Sequence, residues 1–431
     1  MRGTGSRRWA QAALVALMSS PLSGWGVPPE YAIQLGSSVQ YQGNPGGLPE
    51  SMAGDIHGAA VVANTLGLGL SWPLASPETR LDLAASASDV RYSSSRQLDH
   101  QPAFVNSTFY WRAGRLLAGN LHYGYFSQLN GALNQVWPAR DMQVNQDASA
   151  ELGLRVTDEL TLPALRVFHA TARYDVPYSR QLYNSNQNGW QVSTRYAADP
   201  DRADSSAVEL GYRRTNAAYP WRSDEQVAII DNAYSDTEWF SGAQWYVSPK
   251  TWIGARASLL QRTYANLSAR DTRLVTFNVR ALYDFSPKLQ FDIRLWRRPY
   301  ANNTQPQVIY STQTGGLIGL AWKATSKTTL SLFYQHALQK DYTSSAAISG
   351  SDQLRLPAYG ARLQWSPTDN MRWMLDFVST LQRGSYAYDD YNRRYVRLGF
   401  EYTFGSRGNQ AVRSLLKPSL CGEAYPALTL C

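Results

Sequence analysis

Five histidines, His57, His100, His122, His169 and His336, are the side chains best suited to move a proton near neutral pH, and they are scattered along the chain. No H-E-x-x-H spacing sets two imidazoles on one helix face, no G-x-S-x-G turn presents a nucleophile, and no glycine-rich loop is arranged to cradle a phosphate. The neighbouring carboxylates Asp389 and Asp390 lie in a polar stretch, where a solvated cluster is the ordinary reading. His122, beside Asn120, reads as a wall residue rather than a catalytic base. An enzyme is the least favoured function, and no cofactor or metal site is expected.

Arginines and carboxylates recur with a rule. Arg155, Arg213, Arg256, Arg280, Asp292, Arg294, Arg362, Arg397 and Glu401 each alternate with apolar neighbours, so that in an extended chain all would project from the face opposite those neighbours. Such groups hydrogen-bond sugar hydroxyls, and a slight excess of arginine favours acidic sugars. The plainer reading is that they pair with one another across neighbouring strands. They are the candidate lumen-lining residues.

The elements that must position them are strands. In "YDFSPKLQFDIRLWRRPY", residues 283 to 300, Leu289, Phe291, Ile293 and Leu295 alternate with Gln290, Asp292 and Arg294. At 3.6 residues per turn the apolar set would scatter around a helix; at period two it forms one unbroken face. One side must be oily and the other wet, as in a soluble sandwich or a membrane barrel.

The stretch belongs to a repeat. "WYVSPKTW", "YDFSPKLQ", "WKATSKTT" and "WSPTDNMR" share an aromatic, a tight turn and a new strand, with turn cores at Ser248, Ser286, Ser326 and Ser366. Weaker copies fall at Ser76-Pro77-Glu78, Ala113-Gly114, Thr157-Asp158-Glu159 and Asp199-Pro200-Asp201. Longer polar connections intervene, such as "NSNQNG", "NAAYPWRSDEQVAIIDNAYSD", "TSSAAISGSDQ" and "GSYAYDDYNRR". Short turns at one end and long loops at the other are the asymmetry of an outer-membrane barrel. With flanking strands from Tyr31 and up to Phe404, the expectation is an all-β, transmembrane antiparallel β-barrel of about 18 strands, 16 as the alternative, each of about 12 residues, with short periplasmic turns and long extracellular loops.

Composition agrees. Mean hydropathy is -0.38, as in soluble proteins, yet aromatics reach 12%, with 27 tyrosines and 14 tryptophans. Tyr and Trp favour sites oily at one end and wet at the other. Trp72, Trp245, Tyr283, Phe285, Trp322, Trp365 and Phe404 lie beside the short turns; Tyr92, Tyr174, Tyr264, Tyr300, Tyr342 and Tyr386 lie toward the long loops. Two lipid-facing girdles are expected. Small residues on the wet face, Gly67, Gly69, Gly153, Gly211 and Gly399, would leave the bore open.

Arg2, Arg7 and Arg8, the short apolar run Ala10 to Met18 and the small residues that follow form a secretory signal layout, too short for a spanning helix. The expected organisation is a cleaved signal peptide over 1–26, an outer-membrane barrel over 27–404 and a periplasmic C-terminal tail over 405–431, in the outer membrane of a Gram-negative cell. The net charge of +8 is nowhere concentrated into a basic block, so nucleic acid is not an expected partner, whereas outer-membrane lipid is. Cys421 and Cys431 close the chain; in an oxidising periplasm they form a disulfide candidate, two unpaired thiols on a loose tail being the alternative.

From Asp236 to Phe404, the successive "SPK" and "SPT" hairpins and the closing "RRYVRLGFEYTF" resemble the outer-membrane β-barrel proteins encoded in exopolysaccharide-biosynthesis gene clusters, including those associated with exosortase systems. That resemblance implies a channel passing a secreted exopolysaccharide across the outer membrane with a periplasmic polysaccharide-export protein as partner, and it brings no catalytic residues. The chain departs from the pattern in running on to Cys431 beyond the aromatic that closes the last strand. A general or solute-specific porin shares every barrel feature derived above; a large loop folded into the bore would favour it.

Overall fold

The computed structural model describes residues 29–44, 58–76, 78–130, 140–157, 159–199, 205–300, 308–343, 353–384 and 390–405. The expected signal peptide, the tail with Cys421 and Cys431, and the residues His57, Asp389 and Tyr386 lie outside the described residues.

The strands are β1 (Glu30–Gln42), β2 (Ala59–Ser76), β3 (Thr79–Tyr92), β4 (Ala103–Ala113), β5 (Leu117–Leu129), β6 (Met142–Arg155), β7 (Leu160–Tyr174), β8 (Ser185–Ala197) and β9 (Ala207–Ala218). There follow β10 (Ala233–Ser248), β11 (Thr251–Tyr264), β12 (Thr272–Ser286), β13 (Leu289–Tyr300), β14 (Val308–Lys323), β15 (Thr328–Thr343), β16 (Gln353–Thr368), β17 (Met371–Gln382) and β18 (Tyr391–Gly405). Each pairs antiparallel with its neighbours in sequence, and β1 pairs with β18 from Ala32↔Gly405 to Gln42↔Tyr395, closing an 18-stranded sheet on itself. This is a transmembrane antiparallel β-barrel.

The repeated hairpins have a local cause. The Ser248 hydroxyl accepts the backbone N–H of Lys250 (3.2 Å), Ser286 does the same for Lys288 (3.3 Å), and Thr325 for Lys327 (3.1 Å). A hydroxyl that accepts the N–H two residues on tightens the chain into a turn, and the proline at the second position of two of these fixes φ. At Gly114, φ is +64°, a conformation that a side chain disfavours. Register shifts accompany the short-turn ends, between Tyr246/Ser248, Asp284/Ser286 and Trp365/Thr368, where an extra residue relieves the twist of the tight connection. The strands run from 11 to 18 residues, longer in most cases than expected, because they continue past the apolar band into the loops.

The outer face is apolar. Ile293 is 43% exposed and Leu295 49%, and Leu210, Leu259, Val275, Ile318, Leu332, Leu363 and Leu398 take equivalent outward positions by register. No water could satisfy such a surface, and a hydrocarbon slab does. Trp245, Tyr283, Phe285, Trp322, Trp365 and Phe404 point outward and are exposed beside the short turns, forming one girdle. The second girdle is met only in part: Tyr342 stands outward by register, as does Tyr41, 61% exposed. Tyr92, Tyr174 and Tyr264 reach the loop end but stand on the inner face: Tyr92 packs with His100, Tyr174 with Tyr183 and Tyr264 with Tyr234. Their distance along the strand suits a girdle; the alternation of each strand turns them inward.

Charge on the two faces should therefore have opposite effects. Ile293→Arg turns a cation into hydrocarbon, which costs about 2 to 4 kcal/mol near the midplane, and should reduce the heat-modifiable folded band on a gel. Gln290→Arg places the same charge on the inner face beside Asp284, which Gln290 already contacts at 2.8 Å, and should assemble normally.

Candidate functional site

The inner wall is built by the alternate residues of all the strands. Arg155, Arg213, Arg256, Arg280, Asp292, Arg294, Arg362, Arg397 and Glu401 all stand on it, since in each strand the register places them opposite the outward apolar set. Asp292 does not face open water. It is 1% exposed, gripped by Arg280 (Nε to Oδ1 3.1 Å) and Arg294 (Nη2 to Oδ2 2.6 Å) from two strands.

A second carboxylate repeats this arrangement. Arg362 on β16, Asp376 on β17 and Arg397 on β18 form one cross-strand row. Asp376 is 0% exposed, with Arg362 Nε at 2.7 Å from Oδ1 and Arg397 Nε at 2.8 Å from Oδ2. Each carboxylate thus neutralises one of its two arginines and leaves the pair with a net positive charge. Further along, Arg262 binds Asp236 through two bonds of 2.7 and 2.8 Å, Arg256 lies 3.5 Å from Glu238, and Glu401 lies 3.5 Å from Arg372.

Aromatic rings share this wall. The guanidinium of Arg256 lies 3.8 Å from the Phe240 ring and that of Arg213 4.6 Å from Phe168. The Phe240 ring covers Gly211, where an added Cβ would come 2.4 Å from the ring's Cζ. Gly211 therefore receives a ring instead of leaving open bore, which corrects the expectation for that position. His122 forms a polar row with Thr108 (Nδ1 to Oγ1 3.1 Å) and Asp147 (Nε2 to Oδ2 3.0 Å). His100 lies in the β3–β4 connection, and His169 faces outward beside Asn188 at 2.6 Å. Among the described residues no group of three or more His, Cys, Asp or Glu side chains could hold a metal.

At the loop end, the β9–β10 connection folds back over the inner wall. It contains α2 (Asp224–Ile230), following α1 (Pro177–Tyr183) in the β7–β8 connection. Ser223 and Gln226 cap α2 reciprocally, side chain to backbone. Arg222 and Ile230 border a cavity of about 30 Å³, room for a water or two, together with the inward-facing Tyr234, Leu260, Arg262 and Leu274. Arg222 donates to the carbonyls of Leu182, Ile230 and Asp231 and stacks 3.7 Å from the Tyr219 ring.

Asp231 holds this lobe. It is 0% exposed at φ +61°, and its carboxylate accepts the backbone N–H groups of Asn232 (2.6 Å), Asn266 (2.7 Å) and Leu267 (2.8 Å) and the Asn266 amide (2.8 Å). Burial alone raises its pKa, but the hydrogen bonds, those from Asn266 first, outweigh burial and hold it below the ordinary carboxylate range. Arg270 completes the tie by donating to the Ile229 carbonyl at 2.9 Å.

The sequence reading missed Asp376, Asp236, Glu238 and this lobe. Asp376 carried a signal, a single acid in the apolar run "WMLDFV"; so did Ser223-x-x-Gln226, a helix-start pattern. The distant partners of Asp231, Asn266 and Leu267, lie 35 and 36 residues away and carry none.

No protein-family model and no curated protein matches the chain. Solved structures do. OccAB2 of Acinetobacter baumannii aligns with TM-score 0.50 at 9% identity, covering 88% of this chain and 98% of that one. OccK1 (OpdK) of Pseudomonas aeruginosa aligns with TM-score 0.49 at 10% identity, over 89% and 100%. OccK2 (OpdF) of the same organism, solved in complex with glucuronate, aligns with TM-score 0.48 at 10% identity, over 88% and 98%. At such identities the likeness is one of fold.

Two outcomes follow from this geometry. Asp376→Ala removes the buried carboxylate that grips both Arg362 and Arg397, and should lower stability in urea by about 3 to 5 kcal/mol, whereas Asp89→Ala, at an exposed pair, should leave the midpoint unchanged. The depressed pKa of Asp231 makes its contribution complete above the ordinary carboxylate range and lost as pH falls through its folded value. Hydrogen exchange at Asn266 and Leu267, corrected for intrinsic rates, should therefore quicken on acidification, and Asp231→Asn should be fast throughout.

Proposed function

We propose that the chain is an outer-membrane channel of the porin kind, passing small hydrophilic solutes with a preference for anions. The observation that carries this reading is the β9–β10 lobe packed against an arginine-rich inner wall, an inward-folded connection of the kind that suits passage of small solutes. The closed barrel with its apolar outer face supports a place in the outer membrane, as does its shared fold with OccAB2. The two arginine-gripped carboxylates leave fixed positive charge on the wall, which attracts anions, acidic sugars among them. Transport needs no covalent step, and the polar row at His122 is assigned to the wall.

Export of an exopolysaccharide, with a periplasmic export protein as partner, is the second reading; its support is the hairpin pattern of residues 236–404. The two readings separate in a deletion strain. A porin mutant should secrete polysaccharide at the wild-type level and take up small anions more slowly; loss of secreted polysaccharide with unchanged uptake would reverse the choice.

The selectivity itself is measurable in a planar bilayer. Arg256 and Arg280 are each 38% exposed at the side chain, so they reach the water of the bore. Replacing both with glutamine should move the reversal potential under a KCl gradient toward the cation side without lowering the yield of folded barrel. An unchanged potential would remove them from the conduction path.

A further inference from the structure

The outer face carries its own charge pattern. Among the described residues its strands hold one carboxylate, Asp89, which pairs with Arg91 at 2.9 Å. Against it stand Arg173, Arg214, Arg273, Arg297, Lys340, Arg355 and Arg394, all turned outward by register: Arg173 opposes Val144, Arg214 opposes Trp190, Arg297 opposes Phe277, Arg355 opposes Leu338, and Arg273 and Arg394 lie two residues from the exposed Val275 and Val396. None of the seven has a carboxylate partner among the described residues, and none lies in the half of its strand next to the short turns.

They also cluster. Arg297, Thr314, Leu338 and Arg355 form one continuous cross-strand row over β13 to β16, and Lys340 stands two residues beyond Leu338 toward the loops. At about 4.8 Å between strands, Arg297 and Arg355 are roughly 14 Å apart along the row, with Lys340 between them. Five of the seven lie on the arc from β12 to β18, roughly 30 Å of barrel wall. Unpaired like charges this close repel one another. A face that keeps acids away from such a row, just where the apolar band ends, is complementary to anions at the hydrocarbon boundary.

We propose that this basic arc binds the phosphate groups of anionic lipid head groups in the leaflet at the loop end of the barrel. Guanidinium forks match phosphate oxygens two at a time, and long basic side chains rise from an apolar wall to the head-group level. Outward rings share this end of the wall: Tyr342 lies two residues beyond Lys340 in the same phase, and Tyr41 is 61% exposed. The proposal rests on the membrane reading above, though not on solute passage.

The test uses the purified full-length barrel in neutral detergent, with diphosphorylated lipid A added and bound lipid counted by native mass spectrometry. The unmodified barrel should retain diphosphorylated lipid A and lose it when both phosphates are removed, and added inorganic phosphate should not displace it. Joint replacement R273Q, R297Q, K340Q and R355Q should weaken retention at least tenfold, and lysine at the three arginine positions should restore most of it. Equal retention of the dephosphorylated lipid by the unmodified barrel would overturn the proposal whether or not the variant folds. So would unchanged retention by a folded variant, in which the arc merely extends to water, or displacement by inorganic phosphate, which would make it a site for free anions. Flotation with phosphatidylcholine vesicles, which have no net charge, reports membrane insertion separately, so failure of the membrane reading is distinguishable.

Discussion

A strand in hydrocarbon has no water to satisfy its N–H and C=O groups, and the rest of this structure depends on how that requirement is met. Seventeen antiparallel pairings leave two open edges; the pairing of β1 with β18 removes both. Closure then dictates the rest. An even number of strands brings both ends of the sheet to the short-turn side, the pleat divides each strand into an outer and an inner set, and the size of the ring leaves an interior too wide for side chains alone to fill. The polar inner wall follows from that width, because a wide bore is wet.

A wet bore inside a thin wall is still a poor solvent for charges pressed against the sheet. Asp292 and Asp376 are covered by the arginines that grip them, so their charge is neutralised by hydrogen-bonded neighbours and not by bulk water. The rows Arg280–Asp292–Arg294 and Arg362–Asp376–Arg397 bridge neighbouring strands or lie along one, and they favour the register that brings the groups together. A one-residue slip would turn every member of a row toward hydrocarbon. The same residues that give the wall its positive bias thus also penalise misregistered assembly.

The fold was legible because its signals are local. Period two in "LQFDIRL" and the hydroxyl two residues before Lys250, Lys288 and Lys327 need only a few neighbouring residues to act. The inner position of Arg280 or Arg397 was legible for the same reason. What escaped depends on contacts between distant segments: that Asp376 lies between two arginines, that Asp231 gathers N–H groups from the next loop, and that Phe240 covers Gly211. The tyrosines Tyr92 and Tyr264 escaped for another reason. Height along a strand suggested a girdle, but phase decides which solvent a ring meets, and the phase set by Leu83 and Leu259 turns them inward.

The two ends of the barrel consequently meet their surroundings through different chemistry. Rings such as Trp245, Trp322 and Trp365 tolerate a boundary of mixed polarity without demanding a particular partner, which suits the short-turn end, where little chain extends beyond the wall. At the loop end three tyrosines are engaged inside: Tyr234 under Arg262, Tyr264 near Arg270 and Tyr219 under Arg222. Those contacts join the β9–β10 lobe to the inner wall. The outer rim at this end carries basic side chains such as Arg297 and Arg355 beside outward rings such as Tyr41 and Tyr342, whereas the short-turn end presents an aromatic band.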